Sequence, residues 1–292
     1  MSSRPDRNGG SATRDPLRVV LWGVAAAVGA VVVLIVAVVV GEALPALRAV
    51  GLARFLGDPS WHPASGRYNL LPMIAGTFLA AGGALALACP LALLSAVFAA
   101  FFGPPLLATA YLRMIELLAG VPSVVFGFWG LTVLVPLIAK LAPPGASLLA
   151  AVLVLALMIL PTITLIAAMS LRAVPKTYIR AAGALGFSRL STIVRIVIPA
   201  ARRGLAAGIV LGAARAVGET MAVLMVAGNV VQLPGSPFDP IRTLSANIAL
   251  EIAYAVDLHR SALFVSGAIM IAFVLSATIA LEVLAPQRAD AS

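Results

Sequence analysis

An arginine and a glutamate four positions apart, Arg215 and Glu219, stand inside the otherwise apolar stretch Gly204-Leu-Ala-Ala-Gly208-Ile-Val-Leu-Gly212-Ala-Ala-Arg215-Ala-Val-Gly218-Glu219-Thr220. On a helix that spacing puts both on one face, within pairing reach. Within a bilayer each charge costs about 2.5–3.5 kcal/mol at a helix centre. An intrahelical surface pair returns only about 0.3–0.5 kcal/mol, so the pair must face protein or water. Two chemistries fit. One is a buried polar clamp between helices. The other is an oxyanion station, where the planar guanidinium of Arg215 offers forked donors to a passing anion. Glu219 would then hold the arginine or accept from a protonated anion, with the Thr220 hydroxyl beside it. Gly204, Gly208 and Gly212 run down the same face and let another helix backbone approach closely.

A second candidate element is Glu116-Leu-Leu-Ala-Gly120-Val-Pro122-Ser123-Val-Val-Phe-Gly127-Phe-Trp-Gly130. Pro122 removes a backbone donor, and Gly120, Gly127 and Gly130 weaken the helix around it, so the segment should break. It is either a kink made for packing or an irregular, pore-lining helix that puts Ser123 on the substrate path. Broken backbone at membrane depth is tolerated only where protein buries it or a cavity solvates it.

These residues need a membrane to sit in, and the composition supplies one. Of 292 residues, 62% are hydrophobic and 11% charged, against roughly 25% charged in a soluble domain. Several runs reach the ~20 apolar residues that cross a bilayer. Six spans are expected, near 19–41, 71–102, 107–138, 146–170, 204–231 and 261–285. They are continuously apolar rather than alternating, so the fold class is an all-α polytopic membrane protein rather than a barrel. The expected organisation is a tail at 1–17, one transmembrane domain at 18–285 and a tail at 286–292. No short apolar region with a cleavage site follows the polar start, so the first span reads as an uncleaved anchor. A net charge of +9 reflects basic loops on one side of the membrane, not a nucleic-acid groove, since no aromatics interleave the basic residues. Cys89 is alone in an apolar span, and His62 and His259 lack ligand spacing, so neither a disulfide nor a metal site is expected.

Residues 171–203 carry seven basic side chains (Arg172, Lys176, Arg180, Arg189, Arg195, Arg202, Arg203) and no acidic one. With Arg4, Arg7, Arg14 and Arg18 before the first span, this bias puts both termini in the cytoplasm. The segment has the pattern of a helix, a turn and a helix. Tyr178, Ala181, Ala182 and Leu185 share a side, Gly186 can take the left-handed conformation that ends a helix, and Ser188 can cap the next one. It is either an amphipathic element attracted to membrane lipid headgroups or a docking element for a partner. The chain has only two lysines, Lys140 and Lys176, preceded by Ala139 and Pro175, so it lacks a Gly-x-x-x-x-Gly-Lys-Ser/Thr loop for ATP. No cofactor is expected on this chain.

Four separated stretches resemble one family, the type I ABC-importer permeases, and within it the PstC-type permeases of bacterial phosphate importers. They are Tyr68-Asn-Leu-Leu-Pro72, the 116–127 stretch, the 180–199 segment and Arg215-Ala-Val-Gly-Glu-Thr-Met-Ala-Val223 with Gly228-Asn229. In the third, Ala181-Ala182, then Gly186 and then Ile196-Val-Ile-Pro199 match the family's cytoplasmic signature. The resemblance implies a type I ABC-importer permease fold in a bacterial inner membrane and import of phosphate. It also implies a second related permease (PstA-like), two ATP-binding subunits (PstB-like) that carry ATP and Mg, and an extracytoplasmic phosphate-binding protein (PstS-like). Tyr178, Arg180, Ala181, Ala182, Leu185, Gly186 and Phe187 would then couple the chain to the ATPase. Arg180 stands where the family usually has an acid, which puts an acid-dependent contact there in doubt. Arg215 does not discriminate among tetrahedral anions, so sulfate and molybdate remain open as substrates, as does an ion-coupled transporter with Glu219 as proton carrier.

Overall fold

The computed structural model describes residues 16–284; residues 1–15 of the expected N-terminal tail, with Arg4, Arg7 and Arg14, and the expected C-terminal tail lie outside them. In chain order the helices are α1 (Pro16–Val50), α2 (Leu52–Gly57), α3 (Leu71–Val97), α4 (Pro105–Ala119), α5 (Ser123–Trp129), α6 (Val135–Ala139), α7 (Leu148–Arg172), α8 (Lys176–Ala184), α9 (Arg189–Thr192), α10 (Ile198–Gly218), α11 (Met221–Val226), α12 (Leu244–Glu251) and α13 (Asp257–Leu284). Two short strands, β1 (Trp61–His62) and β2 (Arg67–Tyr68), pair antiparallel before α3.

Five helical stretches are long and apolar enough to cross a membrane, and a sixth span exists if α4 and the helix from Ser123 to Ala139 are one. That pair is bent by 89°, at Gly120–Pro122, where the sequence expects its break. Among the long helices α7 is the central one. Its window is 61% buried, against 22–28% for α3, α10 and α13 and 0% for α1. Alanines on one face of α3 (Ala80, Ala84, Ala88, Ala92) meet Ala151, Leu155, Ile159 and Ile163 of α7 in the largest core cluster. Small residues on one helix and branched ones on its neighbour let the two axes approach closely, which is how helices associate where lipid supplies no hydrophobic driving force.

α7 also fixes the ends of the bundle. At one end Leu148 donates to the Asp239 carbonyl and Ser147 caps the helix. At the other, Arg172 donates to the carbonyl of Ala99, and Leu171 packs with Val197 and Ala201. All seven basic residues of 171–203 gather at this second, basic end. The β1–β2 hairpin, residues 227–243 and the C-terminus of α12 form the far end.

The structure departs from the expected spans in the fifth. A helical stretch runs from Arg189 to Gly218 through a π turn at Ile193–Val197, so the second helix of the basic segment continues directly into the membrane. Pro199 is tolerated because it occupies the first turn of α10, where its missing N–H follows the π turn. The helix then stops at Gly218, well short of 231.

Candidate functional site

Arg215 lies in the last turn of α10. Its Nη1 donates to Thr162 Oγ1 of α7 at 2.9 Å, and both residues are half-buried. Thr162 lies fourteen residues beyond Leu148, which is about 21 Å along the helix at 1.5 Å per residue. The guanidinium therefore sits deep within the span.

The expected pairing of Arg215 with Glu219 does not form. Glu219 has extended backbone (φ −67°, ψ 129°), because α10 ends one residue earlier, and the i,i+4 geometry is lost. Its Oε1 instead accepts the N–H of Ala222 at 3.2 Å, in the first turn of α11. Its carbonyl accepts from the Ser245 hydroxyl of α12 at 2.7 Å. Thr220 has its hydroxyl on the Gly218 carbonyl at 3.3 Å. Among the described residues Arg215 joins no ion pair. Ser123 opens α5 just past the bend, half-buried.

The helix around this locus is held by close approach. A Cβ at Gly212 would meet Ile163 Cδ1 and Cγ1 at 2.8 Å, one at Gly208 would meet Ile166 Cγ2 at 3.2 Å, and one at Gly204 would overlap the Ser170 side chain. All three neighbours are on α7, so the glycine face of α10 lies against the helix that holds Arg215. Across the break, Gly127 of α5 meets the Ala222 backbone of α11, and Gly130 meets Val154 and Val226.

At the basic end, α8 closes with paired bonds. The N–H of Phe187 reaches the Ala182 carbonyl and that of Gly186 the Gly183 carbonyl, with Gly186 at φ +80°. This is the left-handed stop that glycine provides. Ser188 then caps α9, its Oγ accepting from the Ser191 N–H at 3.2 Å. Ala182 is buried, whereas Tyr178 (53% exposed), Leu185 (77%) and Phe187 (37%) stand out of the turn. Arg180 and Ala181 are exposed as well. Bulky apolar side chains thus stand exposed on a basic elbow.

A polar network at the far end was not legible in the sequence. The buried carboxylate of Glu251 accepts from Arg242 Nη1 at 2.8 Å and from Trp61 Nε1 at 2.9 Å, and lies 2.9 Å from His259 Nε2. Arg242 also donates to the Asn229 carbonyl and to Asn247 Oδ1. Trp61, Asn229, Arg242, Glu251 and His259 line a cavity of about 920 Å³ with Tyr254. As a sequence, Glu251 reads as one more loop charge. Nothing local shows that residues near 61, 242 and 259 converge on it. Thr162 was missed for the same reason, though a hydroxyl directly after the span-interior Pro161 is a signal that irregular backbone and a polar contact coincide.

Residues 88–290 match the family described as "Binding-protein-dependent transport system inner membrane component". The chain belongs to this family. It is a multi-pass inner-membrane protein with the fold of a type I ABC-importer permease. The chain is 44% identical over 204 residues to the probable ABC transporter permease protein YqgH of Bacillus subtilis, covering 68% of this chain and 66% of that one. It is 35% identical over 238 residues to the phosphate transport system permease protein PstC of Mesorhizobium japonicum, covering 74% and 73%. With PstC of Haemophilus influenzae it shares 33% over 237 residues, covering 74% and 75%. Its structure is similar to an inward facing conformation of the MetNI methionine ABC transporter, with a TM-score of 0.55, 16% identity and coverage of 74% of this chain and 92% of that one. At that identity the likeness shows the fold alone. The family match spans α4 to α13, and so takes in the bent pair, the basic elbow and the Arg215 break.

Proposed function

We propose that this chain is the non-catalytic, membrane-spanning subunit of an ABC importer that carries inorganic phosphate inward, driven by ATP hydrolysis on a separate subunit. The relatives named as phosphate permeases support the substrate. The observation that carries the proposal is Arg215. It is a deep guanidinium steadied by a neutral hydroxyl and left without an acidic partner among the described residues. An anion passing that point gains forked, charge-assisted hydrogen bonds, and one arginine binds weakly enough to release it, as conduction requires.

In this reading both termini and the basic elbow face the cytoplasm, and the far-end cavity faces outward. The partners are a second related permease, two ATP-binding subunits that hold ATP and Mg, and a phosphate-binding protein that docks outside. ATP binding draws the α8 elbows together and opens the spans outward; loaded binding protein releases phosphate to Arg215. Tyr178, Leu185 and Phe187 suit an apolar socket on the ATPase.

Arg215→Gln tests this. Uptake of labelled phosphate should fall to background, while the variant still copurifies with its ATPase partner. Unchanged uptake would remove the anion role. Competition by sulfate and molybdate against labelled phosphate in reconstituted vesicles tests the substrate: phosphate should be preferred, and equal competition by either anion would make it a general oxyanion permease.

A further inference from the structure

We infer that Thr162 is a second direct contact for the transported anion, forming with Arg215 a two-residue donor site across α7 and α10. The inference rests on the phosphate reading of Arg215 and extends it to a residue that no motif singles out.

Hydroxyls inside helices ordinarily spend their proton on a carbonyl one turn back. Most of those in the long helices of this chain do so. Thr77 donates to Met73, Thr164 to Leu160 and Ser170 to Ile166, each at 2.7–2.8 Å. Thr162, on the same helix as the last two, forms no such bond. Its oxygen is occupied as an acceptor, by Arg215 Nη1 at 2.9 Å. A hydroxyl carries one proton and two lone pairs, so accepting from Arg215 leaves that proton uncommitted. Thr162 is half-buried rather than sealed.

The arrangement has a clear donor order. Arg215 polarises the Thr162 oxygen by donating to it, which makes the Thr162 O–H a better donor. The remaining N–H groups of the guanidinium and this O–H are held side by side by one hydrogen bond. A tetrahedral oxyanion carries several acceptor oxygens and can take both at once. No covalent step is involved; the anion exchanges hydration for two protein donors during transit. The close packing of Gly212 against Ile163, the residue next to Thr162, keeps the two helices in register.

The test compares Thr162→Val, which keeps shape and removes the hydroxyl, with Thr162→Ser, which keeps the hydroxyl. Both are measured for labelled phosphate uptake and for ATP hydrolysis in the assembled transporter. Losing a hydrogen bond to an anion should lower the maximal uptake rate of Thr162→Val by roughly tenfold or more, with ATP hydrolysis retained. The half-saturating phosphate concentration, set by capture outside the membrane, should stay within about twofold. Thr162→Ser should restore most of the rate. Equal loss in both variants would mean that the methyl packs rather than the hydroxyl binds, and would overturn the inference. So would normal uptake by Thr162→Val alongside a dead Arg215→Gln, with the Arg215 reading intact. If Arg215→Gln transports normally, that reading itself has failed.

Discussion

Replacing Gly127 by alanine should damage this protein more than any inspection of α5 alone suggests. The added Cβ would lie 2.8 Å from Ala222 Cα, 2.9 Å from Met225 Sδ and 3.4 Å from the Ala222 carbonyl oxygen. Met225 can swing away, but the Ala222 backbone cannot. Carbon pairs rest at about 3.5 Å or more, so against 2.8 Å the two helices must part by about 0.7 Å. α11 has little freedom to move. Glu219 holds its first turn through the Ala222 N–H, and Ala227 at its end bonds to Ile241. The displacement therefore passes to the Glu219 break.

Two terms oppose each other in the variant. Alanine is favoured over glycine in a helix by about 0.8–1.0 kcal/mol. Overpacking a tight contact costs about 1–3 kcal/mol. Gly82→Ala in α3 isolates the first term, since a Cβ there meets nothing within 4 Å. The difference in stability between the variants should thus be about 1–3 kcal/mol, with Gly127→Ala the weaker. Unfolding in mild detergent measures it, and phosphate uptake should fall in Gly127→Ala alone. If the two variants unfold together and both transport normally, the α5–α11 contact is looser than argued and the reasoning fails.

Two other predictions address the two ends. A Cβ added at Gly186 meets no neighbour within 4 Å, so the effect of Gly186→Val comes chiefly from φ +80°, a conformation that costs a residue with a Cβ about 1–2 kcal/mol. The elbow should lose its stop, and phosphate moved per ATP should fall, while Gly183→Ala, equally open and without positive φ, stays coupled; a normal ratio in Gly186→Val would discredit the docking role. At the far end, the backbone N–H of Tyr68 and then the Arg54 side chain hold the Asp58 carboxyl below its ordinary value of 3.8. A lowered carboxyl pKa stabilises the fold above the ordinary value, and that contribution disappears as pH falls through the lower folded value. The protection factor of the Tyr68 amide should stay high at neutral pH and fall only in acid below the ordinary carboxyl value, whereas Asp58→Ala, which removes the acceptor, should be unprotected throughout; protection retained in Asp58→Ala would exclude this account.

Much of the fold was legible because membrane physics leaves few options. A long apolar run must be helical, and Gly120 with Pro122 must interrupt it. Gly186 and Ser188 carry a stop and a start two residues apart, and the structure makes both bonds. The site was legible only in part. Arg215 announces itself by cost, but its partner is 53 residues away in sequence. Gly218 could have marked the end of α10, yet the apolar pattern continues past it. The break is fixed from outside, by Ser245 on the Glu219 carbonyl, 26 residues away. Local spacing does not carry that information.

The position of the break bears on which chemistry the charges serve. A clamp would place Arg215 and Glu219 together, so that each offsets the other's burial. Instead each is satisfied separately. Glu219 sits at the N-terminal end of α11, where a carboxylate is favoured by the free N–H groups and the helix dipole, and it takes the Ala222 N–H. Arg215 is left to a neutral threonine. Its insertion cost of about 2.5–3.5 kcal/mol is thus not returned by any carboxylate among the described residues. Had stability alone been selected, a continuous helix from Arg215 through Glu219 would have formed the pair at no topological cost. Holding the acid away at a helix end leaves the guanidinium without a carboxylate among the described residues, which is the condition the proposed anion station requires and a clamp does not.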